Sequence, residues 1–139
     1  MFITLYHVIS YDIWFYISHV LLHHKLLYPI HKIHHNTEYK FLTFLNTGDG
    51  HIVEIPLQTV GIFAPLIFYS VSSELLWAFA VILLRGYMRH DHRCSFLIGN
   101  HHLLHHKYSS YNFGEYWIDL VCGTCYPYRS EYVYGILYT

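Results

Sequence analysis

The sequence predicts an all-α fold: an integral membrane helical bundle with a short membrane hairpin. Three observations predict it. Hydrophobic residues make up 54% of the chain and charged residues only 12%, roughly half the usual ~25%. The apolar residues run in two long blocks, residues 1–24 and 57–84, instead of alternating as in exposed strands. Fourteen residues are histidine, and none of them falls in the second block. The same figures exclude other classes. A length of 139 residues is one domain's worth, taken as residues 1–139. The chain is too apolar and aromatic for disorder. A formal net charge of −1 with eight Lys and Arg argues against a nucleic-acid partner. Three cysteines are too few, and odd in number, for a disulfide scaffold.

The first block carries no basic leader and no small-residue cleavage site, so it reads as a membrane helix and not a signal peptide. Asp12 and His19 are costly in lipid and should face protein. Residues 25–54 are polar, and Asn46-Thr47-Gly48-Asp49-Gly50 is a turn signal. As one helix, block 57–84 would span about 42 Å, more than the ~30 Å hydrocarbon core. Ser70, Ser72, Ser73 and Glu74 mark a bend near its middle. Residues 85–111 are polar again, and the Tyr-rich stretch from Tyr126 reads as loop or short strand.

The pattern His-x-x-His-His occurs twice, as His31, His34, His35 and as His102, His105, His106. His19 and His23 precede them at a spacing of four. On a helix, positions i, i+3 and i+4 share a face, so each triplet can aim three imidazoles at one point. One tetrahedral zinc takes four ligands, so eight histidines imply two metals. Asp12 and Tyr16 share the wedge of His19 and His23, which places the Asp12 carboxylate to accept the second ring N–H of a ligand. For the triplets to meet, block 57–84 must turn back on itself, hence the hairpin. All eight Lys and Arg lie outside residues 41–84, on the segments that carry the histidines. The positive-inside rule puts this His-rich di-metal site on the cytosolic face. His7 is expected to be structural, and His51, His92 and His101 structural or behind the ligands. His90 is weighed as a ninth ligand. Cys122 and Cys125 form a CxxC without the strand–helix setting of a redox motif.

The series Asp12, Tyr16, His19, His23, Leu27, Tyr28, His31, Lys32, His34, His35 resembles the fatty acid hydroxylase/sterol desaturase superfamily. So does the later run of His102, His105 and His106 with Asn112-Phe113-Gly114, Asp119 and Gly123-Thr124. His51-Ile52-Val53-Glu54 resembles that family's HPxE element, with Ile52 in place of Pro, and His90 sits where the family often has a His after its hairpin. The resemblance covers roughly residues 10–126. Val20 departs from it, standing where an Arg is usual, and further spans usually precede the first box.

The resemblance implies a single fatty acid hydroxylase-like domain and an O₂-dependent oxidoreductase of lipid biosynthesis. The metal ligands it implies are His19, His23, His31, His34, His35, His102, His105 and His106, with His90 an addition. The implied cofactors are two non-haem Fe ions, with O₂ as co-substrate. No catalytic residue beyond the metal ligands is implied. The partners would be a lipid, sterol or fatty acyl, the membrane, and an external electron donor such as a cytochrome b5/reductase system, since no HPGG haem motif occurs. In a eukaryote the address would be the endoplasmic reticulum. Two other readings stand beside it: a catalytically inactive metal-binding relative, and a membrane haem cytochrome, which needs far fewer histidines.

Overall fold

The computed structural model describes residues 2–137, and those residues are helical with no strand. Helix α1 (Phe2–Leu22) is followed by a one-turn α2 (Tyr28–His31), started by Pro29 in its first turn, where a missing N–H costs nothing. Next come α3 (Glu54–Thr59) and, continuous with it, a 3-10 helix over Val60–Ile67. The chain turns at residues 68–72, the bend that the serine cluster marks, and returns as α4 (Ser73–Arg89). Three short helices close the molecule: α5 (Ser95–Ile98), α6 (His101–Lys107) and α7 (Tyr116–Cys122). Helix α7 stops at Gly123, whose φ of 71° is the left-handed cap that glycine supplies without strain. The stretch after Tyr126 forms no strand within the described residues. It is an irregular segment with one 3-10 turn, clamped because Asn100 bonds the Glu131 carbonyl (2.9 Å) and the Val133 amide (2.9 Å).

The hairpin of α3 and α4 packs against α1. Tyr11 and Phe15 of α1 meet Ile62, Leu75, Ala78 and Ile82 of the hairpin in the main apolar cluster. The approach is close at Gly61, where a Cβ would stand 2.2 Å from Trp14 Cβ. Two side chains of α1 bond the carbonyls exposed there. Trp14 Nε1 donates to the Leu57 carbonyl at 2.7 Å, and His7 Nδ1 donates to that of Ile62. In a 3-10 register the donor to Ile62 would be the residue three on. That residue is Pro65, which has no N–H, so His7 takes the carbonyl. His7 is thus structural, as the sequence suggests.

Helix α1 is apolar on the outside and polar within. Its buried face carries His7, Asp12, Ser18 and His19, while Ile9, Ile13, Ile17 and Leu21 are exposed. At 21 residues it measures about 31 Å, but these polar groups dilute it. Among the described residues no helix is long and apolar enough to cross a membrane. The structure therefore does not support the expected transmembrane helix.

Gly61→Ala should overpack the α1–hairpin contact and cost about 1–3 kcal/mol. Thermal unfolding in detergent reads this. An unchanged midpoint would show that the two elements separate easily.

Candidate metal centre

Five segments deliver histidines to the same end of the bundle. His19 lies in the last turn of α1, with His23 just beyond it; His31 ends α2, and His34 and His35 follow in hydrogen-bonded turns. His90 follows α4, and His102, His105 and His106 lie on α6. Their ligand atoms form two groups, each within 4.8 Å. The first is His19, His23, His31, His35 and His105; the second is His34, His90, His102 and His106. His90, weighed from sequence as a ninth member, is brought into the second group.

One expectation is corrected. Neither triplet aims at one point. His31 and His35 join the first group and His34 the second, whereas His102 and His106 join the second and His105 the first. Positions i and i+4 lie about 40° apart around a helix, but i+3 and i+4 lie about 100° apart. Each triplet therefore straddles both groups and ties them together.

The ring nitrogens face one another. His19 Nε2 is 2.9 Å from His31 Nε2, which is 3.0 Å from His35 Nε2. His105 Nε2 is 3.1 Å from that of His23 and 3.2 Å from that of His35. In the second group His90 Nε2 is 3.1 Å from both His34 Nε2 and His102 Nε2. The outer nitrogens decide what these contacts are. His19 Nδ1 bonds the Phe113 carbonyl, and His31 Nδ1 the Glu54 carboxylate at 2.7 Å. His34 and His90 Nδ1 bond the carbonyls of Asp49 (2.7 Å) and Gly86 (2.8 Å), and His105 Nδ1 that of Tyr111 (2.6 Å). A carbonyl oxygen only accepts, so the Nδ1 atoms of His19, His34, His90 and His105 carry the proton and their Nε2 atoms present a bare lone pair; Glu54 imposes the same tautomer on His31 when its carboxylate is ionised. Two lone pairs at 2.9 Å are not a hydrogen bond. A shared cation suits them: nitrogens at about 2.1 Å from one ion, set at a right angle, stand about 3.0 Å apart. The donor set therefore fits two metal ions, one for each group.

Burial keeps the rings neutral, the form a metal needs. It lowers His31 to about 4 and His23 to about 3, and holds His102, His105 and His106 well below the usual imidazole range. Burial pushes Glu54 up to about 7.

The second expectation to fail is Asp12. It does not reach a histidine. Its carboxylate pairs with Arg85, which also meets Glu115 at 3.2 Å, and Arg89 Nη2 lies 2.8 Å from the same Glu115 oxygen. Helical periodicity places Asp12 on the inner face but says nothing of the partner 73 positions away. The carboxylates behind the histidines are Glu54 and Asp119. Asp119 accepts from His101 Nε2, the amides of Phe113 and Gly114, and Thr124 Oγ1. It thereby holds the Phe113 carbonyl that orients His19. Asn112, at φ 59°, bonds the His101 carbonyl and the Tyr126 amide and anchors the same loop. The sequence marks Glu54 and Asp119 by motif but does not show what they touch. His92 Nε2 bonds the Tyr39 carbonyl, and His51 Nδ1 accepts from Val53 N–H, so neither joins a group. Cys94, Cys122 and Cys125 are free. Val20 and Ile52, which depart from the pattern, are 37% and 85% exposed and so lie outside the buried site.

A cavity of about 230 Å³ opens onto His19, His34, His90 and His102. Its apolar wall includes Tyr11, Phe15, Ile82 and Leu83, and Glu54 and Arg89 also line it.

This arrangement defines a class, the helical proteins that gather histidines from separate segments into buried groups able to hold metal ions. Comparison with known proteins specifies it: the fatty acid hydroxylase family model matches residues 4–124, and the chain belongs to that family. It is 30% identical to a Delta(7)-sterol 5(6)-desaturase of Schizosaccharomyces pombe, over 76% of this chain and 37% of that protein. It is 29% identical to methylsterol monooxygenase 1 of Rattus norvegicus, over 86% of this chain and 45% of that protein. The chain thus spans less than half the length of these relatives. No solved structure matches it.

Two outcomes follow for the site. Asp119→Asn should loosen His19 and weaken metal binding by about 10–100-fold, read by metal titration; unaltered affinity would deny Asp119 this part. The metal-free protein should lose stability on acidification. The unfolded histidines titrate near 6.5 and the folded ones lower, so the unfolded state binds more protons between about 6.5 and 4 and stability falls as pH drops through that window. A flat unfolding midpoint from pH 7 to 4 would contradict this.

Proposed function

We propose that the chain forms the catalytic part of a membrane-bound, non-haem di-iron oxidoreductase. It hydroxylates or desaturates a lipid, sterol or fatty acyl, with O₂ and an external electron donor. One observation carries this reading: nine histidines form two groups of facing ring nitrogens, five of them oriented by outer hydrogen bonds, and His19, His34, His90 and His102 line one end of an apolar cavity. The names of the relatives, a sterol desaturase and a methylsterol monooxygenase, agree with a lipid substrate.

His19, His23, His31, His35 and His105 hold one iron, and His34, His90, His102 and His106 the other. Bound there, the irons supply O₂ activation, which an unactivated C–H bond requires because it offers acid or base no handle. Hydroxylation replaces hydrogen by OH and releases one water; desaturation removes two hydrogens and releases two. Each consumes one O₂, two electrons and two protons, so a reductant must dock. Tyr11, Phe15 and Ile82 align the chain of the substrate and exclude water. Glu54 and the Asp49, Gly86, Tyr111 and Phe113 carbonyls fix the tautomers of five of the ligands, His31, His34, His90, His105 and His19.

The apolar outer faces of α1 and the hairpin lie in the bilayer, with the histidine end toward the cytosolic side, where Lys25, Lys32 and Arg93 cluster in sequence with the boxes. In a eukaryote this is the endoplasmic reticulum membrane.

Purified protein should bind two irons, and with a reductase system it should convert a lipid to its alcohol or alkene. His34→Ala and His105→Ala, one from each group, should each abolish turnover and lower iron content, whereas exposed His24→Ala should leave both intact. Full lipid oxidation by metal-free protein would overturn the assignment.

A further inference from the structure

Fifteen of the 139 residues are tyrosine, and among the described residues no phenol hydrogen-bonds a histidine of either metal group. Several of them instead form a connected row beside α6. Leu104, on the helix that carries His102, His105 and His106, packs against Tyr126 and Tyr132. The Tyr126 ring is 8% exposed and lies flat on Tyr108, with centroids 4.2 Å apart and planes 6° from parallel. The rings of Tyr111 and Tyr128 each stand 5.5 Å from that of Tyr126, centre to centre. The row begins at the metal groups, because Tyr111 supplies the carbonyl that accepts from His105 Nδ1 at 2.6 Å. It ends in solvent, because Tyr128 is 65% exposed.

The middle of the row is bonded to a base. Tyr126 Oη donates to Glu131 Oε1 at 3.0 Å, and Tyr108 Oη donates to the same oxygen at 2.9 Å. Lys107 Nζ donates to the other oxygen at 2.6 Å. Packing alone would be served by phenylalanine. A phenol on a carboxylate has in addition an acceptor for its proton. That acceptor matters in one-electron chemistry: losing an electron makes a phenol strongly acidic, so tyrosine is oxidised readily where its proton can leave at the same moment. Electron transfer also falls off steeply with distance, and it is fast between rings in contact. Tyr111, Tyr126 and Tyr128 meet the distance condition, and Glu131 meets the proton condition.

Resting on the reading of the histidine groups as a di-iron oxidation site, we propose that Tyr111, Tyr126 and Tyr128 form a relay that passes electrons inward from the surface when no lipid occupies the cavity. The oxidant is the O₂-derived oxidising equivalent that the proposed activity forms and that then has no C–H bond to attack. Tyr126 gives up one electron by way of Tyr111. Its O–H bond breaks, the proton moves to the Glu131 carboxylate, and a neutral phenoxyl radical is left. Tyr128 returns an electron to Tyr126, whose oxygen takes the proton back from Glu131. Tyr128 loses its own proton to water and becomes the radical. A thiol in solution repairs it by donating a hydrogen atom and leaves as a thiyl radical. The relay spares the imidazoles from oxidation.

The test supplies hydrogen peroxide to the iron-loaded full chain in detergent, without lipid or thiol, and maps a nitroso spin trap by mass spectrometry. Tyr134 is the internal control, being 52% exposed and outside the row. A relay labels Tyr128 severalfold more than Tyr134, and the excess disappears in metal-free protein. Oxidants diffusing in solution would label the two alike, and that result in the unaltered protein overturns the proposal without any variant. Tyr126→Phe should bring the label on Tyr128 down to that on Tyr134 and raise oxidation of His105. Glu131→Gln keeps an acceptor oxygen for both phenols but is a far weaker base, so it should lower the Tyr128 label as well; a purely structural Glu131 would leave it unchanged. Iron content reports whether each variant is folded. An undiminished Tyr128 excess in folded Tyr126→Phe, or failure of the chain to take up iron, also overturns the relay. Lipid oxidation without selective Tyr128 label would sink the relay and leave the activity standing, whereas selective label in a protein that never oxidises lipid would do the reverse.

Discussion

Imidazole lone pairs forced together are the constraint around which this molecule is arranged. His19 and His31, and likewise His34 and His90, each spend their ring proton on an outward acceptor, which leaves bare Nε2 atoms about 3 Å apart. Alone, such contacts repel, and each histidine has lost its hydration by being buried. A cation reverses the sign of the interaction. The acceptors behind the rings are mostly main-chain carbonyls, which cannot change protonation state or rotate away. The site is therefore set by the path of the backbone at Asp49, Gly86, Tyr111 and Phe113, and the fold can be read as the means of holding those four carbonyls.

That requirement explains the small size of the apolar core. The main cluster joins α1 to the hairpin through Tyr11, Phe15, Ile62 and Ile82, and a second joins Leu104 to Tyr126 and Tyr132. Much of the remaining interior is polar: the histidines, the Asp12–Arg85–Glu115–Arg89 ion pairs and the Asp119 network. Such an interior is stable only when nearly every group finds a partner. Apolar side chains are displaced to the outside, on Ile9, Ile13 and Ile17 of α1 and on Leu76, Trp77 and Leu84 of α4. This inverted distribution is what an apolar surrounding would accommodate, although among the described residues no single helix has the length and composition of a span.

The exchange of histidines between the two groups has a mechanical consequence. Each triplet reaches both, so a displacement of α6 or of the turn after α2 moves histidines of both groups together. Glu54, in the arm that packs on α1, holds His31, and Asp119, in α7, holds the loop that orients His19. Elements far apart in the chain thus act on the same nitrogens.

The sequence by itself determined the helical class, the bend near Ser70–Glu74 and eight of the nine histidines that gather, with His90 only weighed as the ninth. These are local or repetitive features, legible from spacing and from the cost of placing polar groups in apolar runs. It did not determine how the triplets divide, because a face of a helix is defined only to within the angle its partners later impose. Nor did it determine the partner of Asp12, the capture of the Ile62 carbonyl by His7, or the exposure of Arg89 to the cavity. Each of these is a contact between segments tens of residues apart, and only the tertiary structure decided which donor met which acceptor.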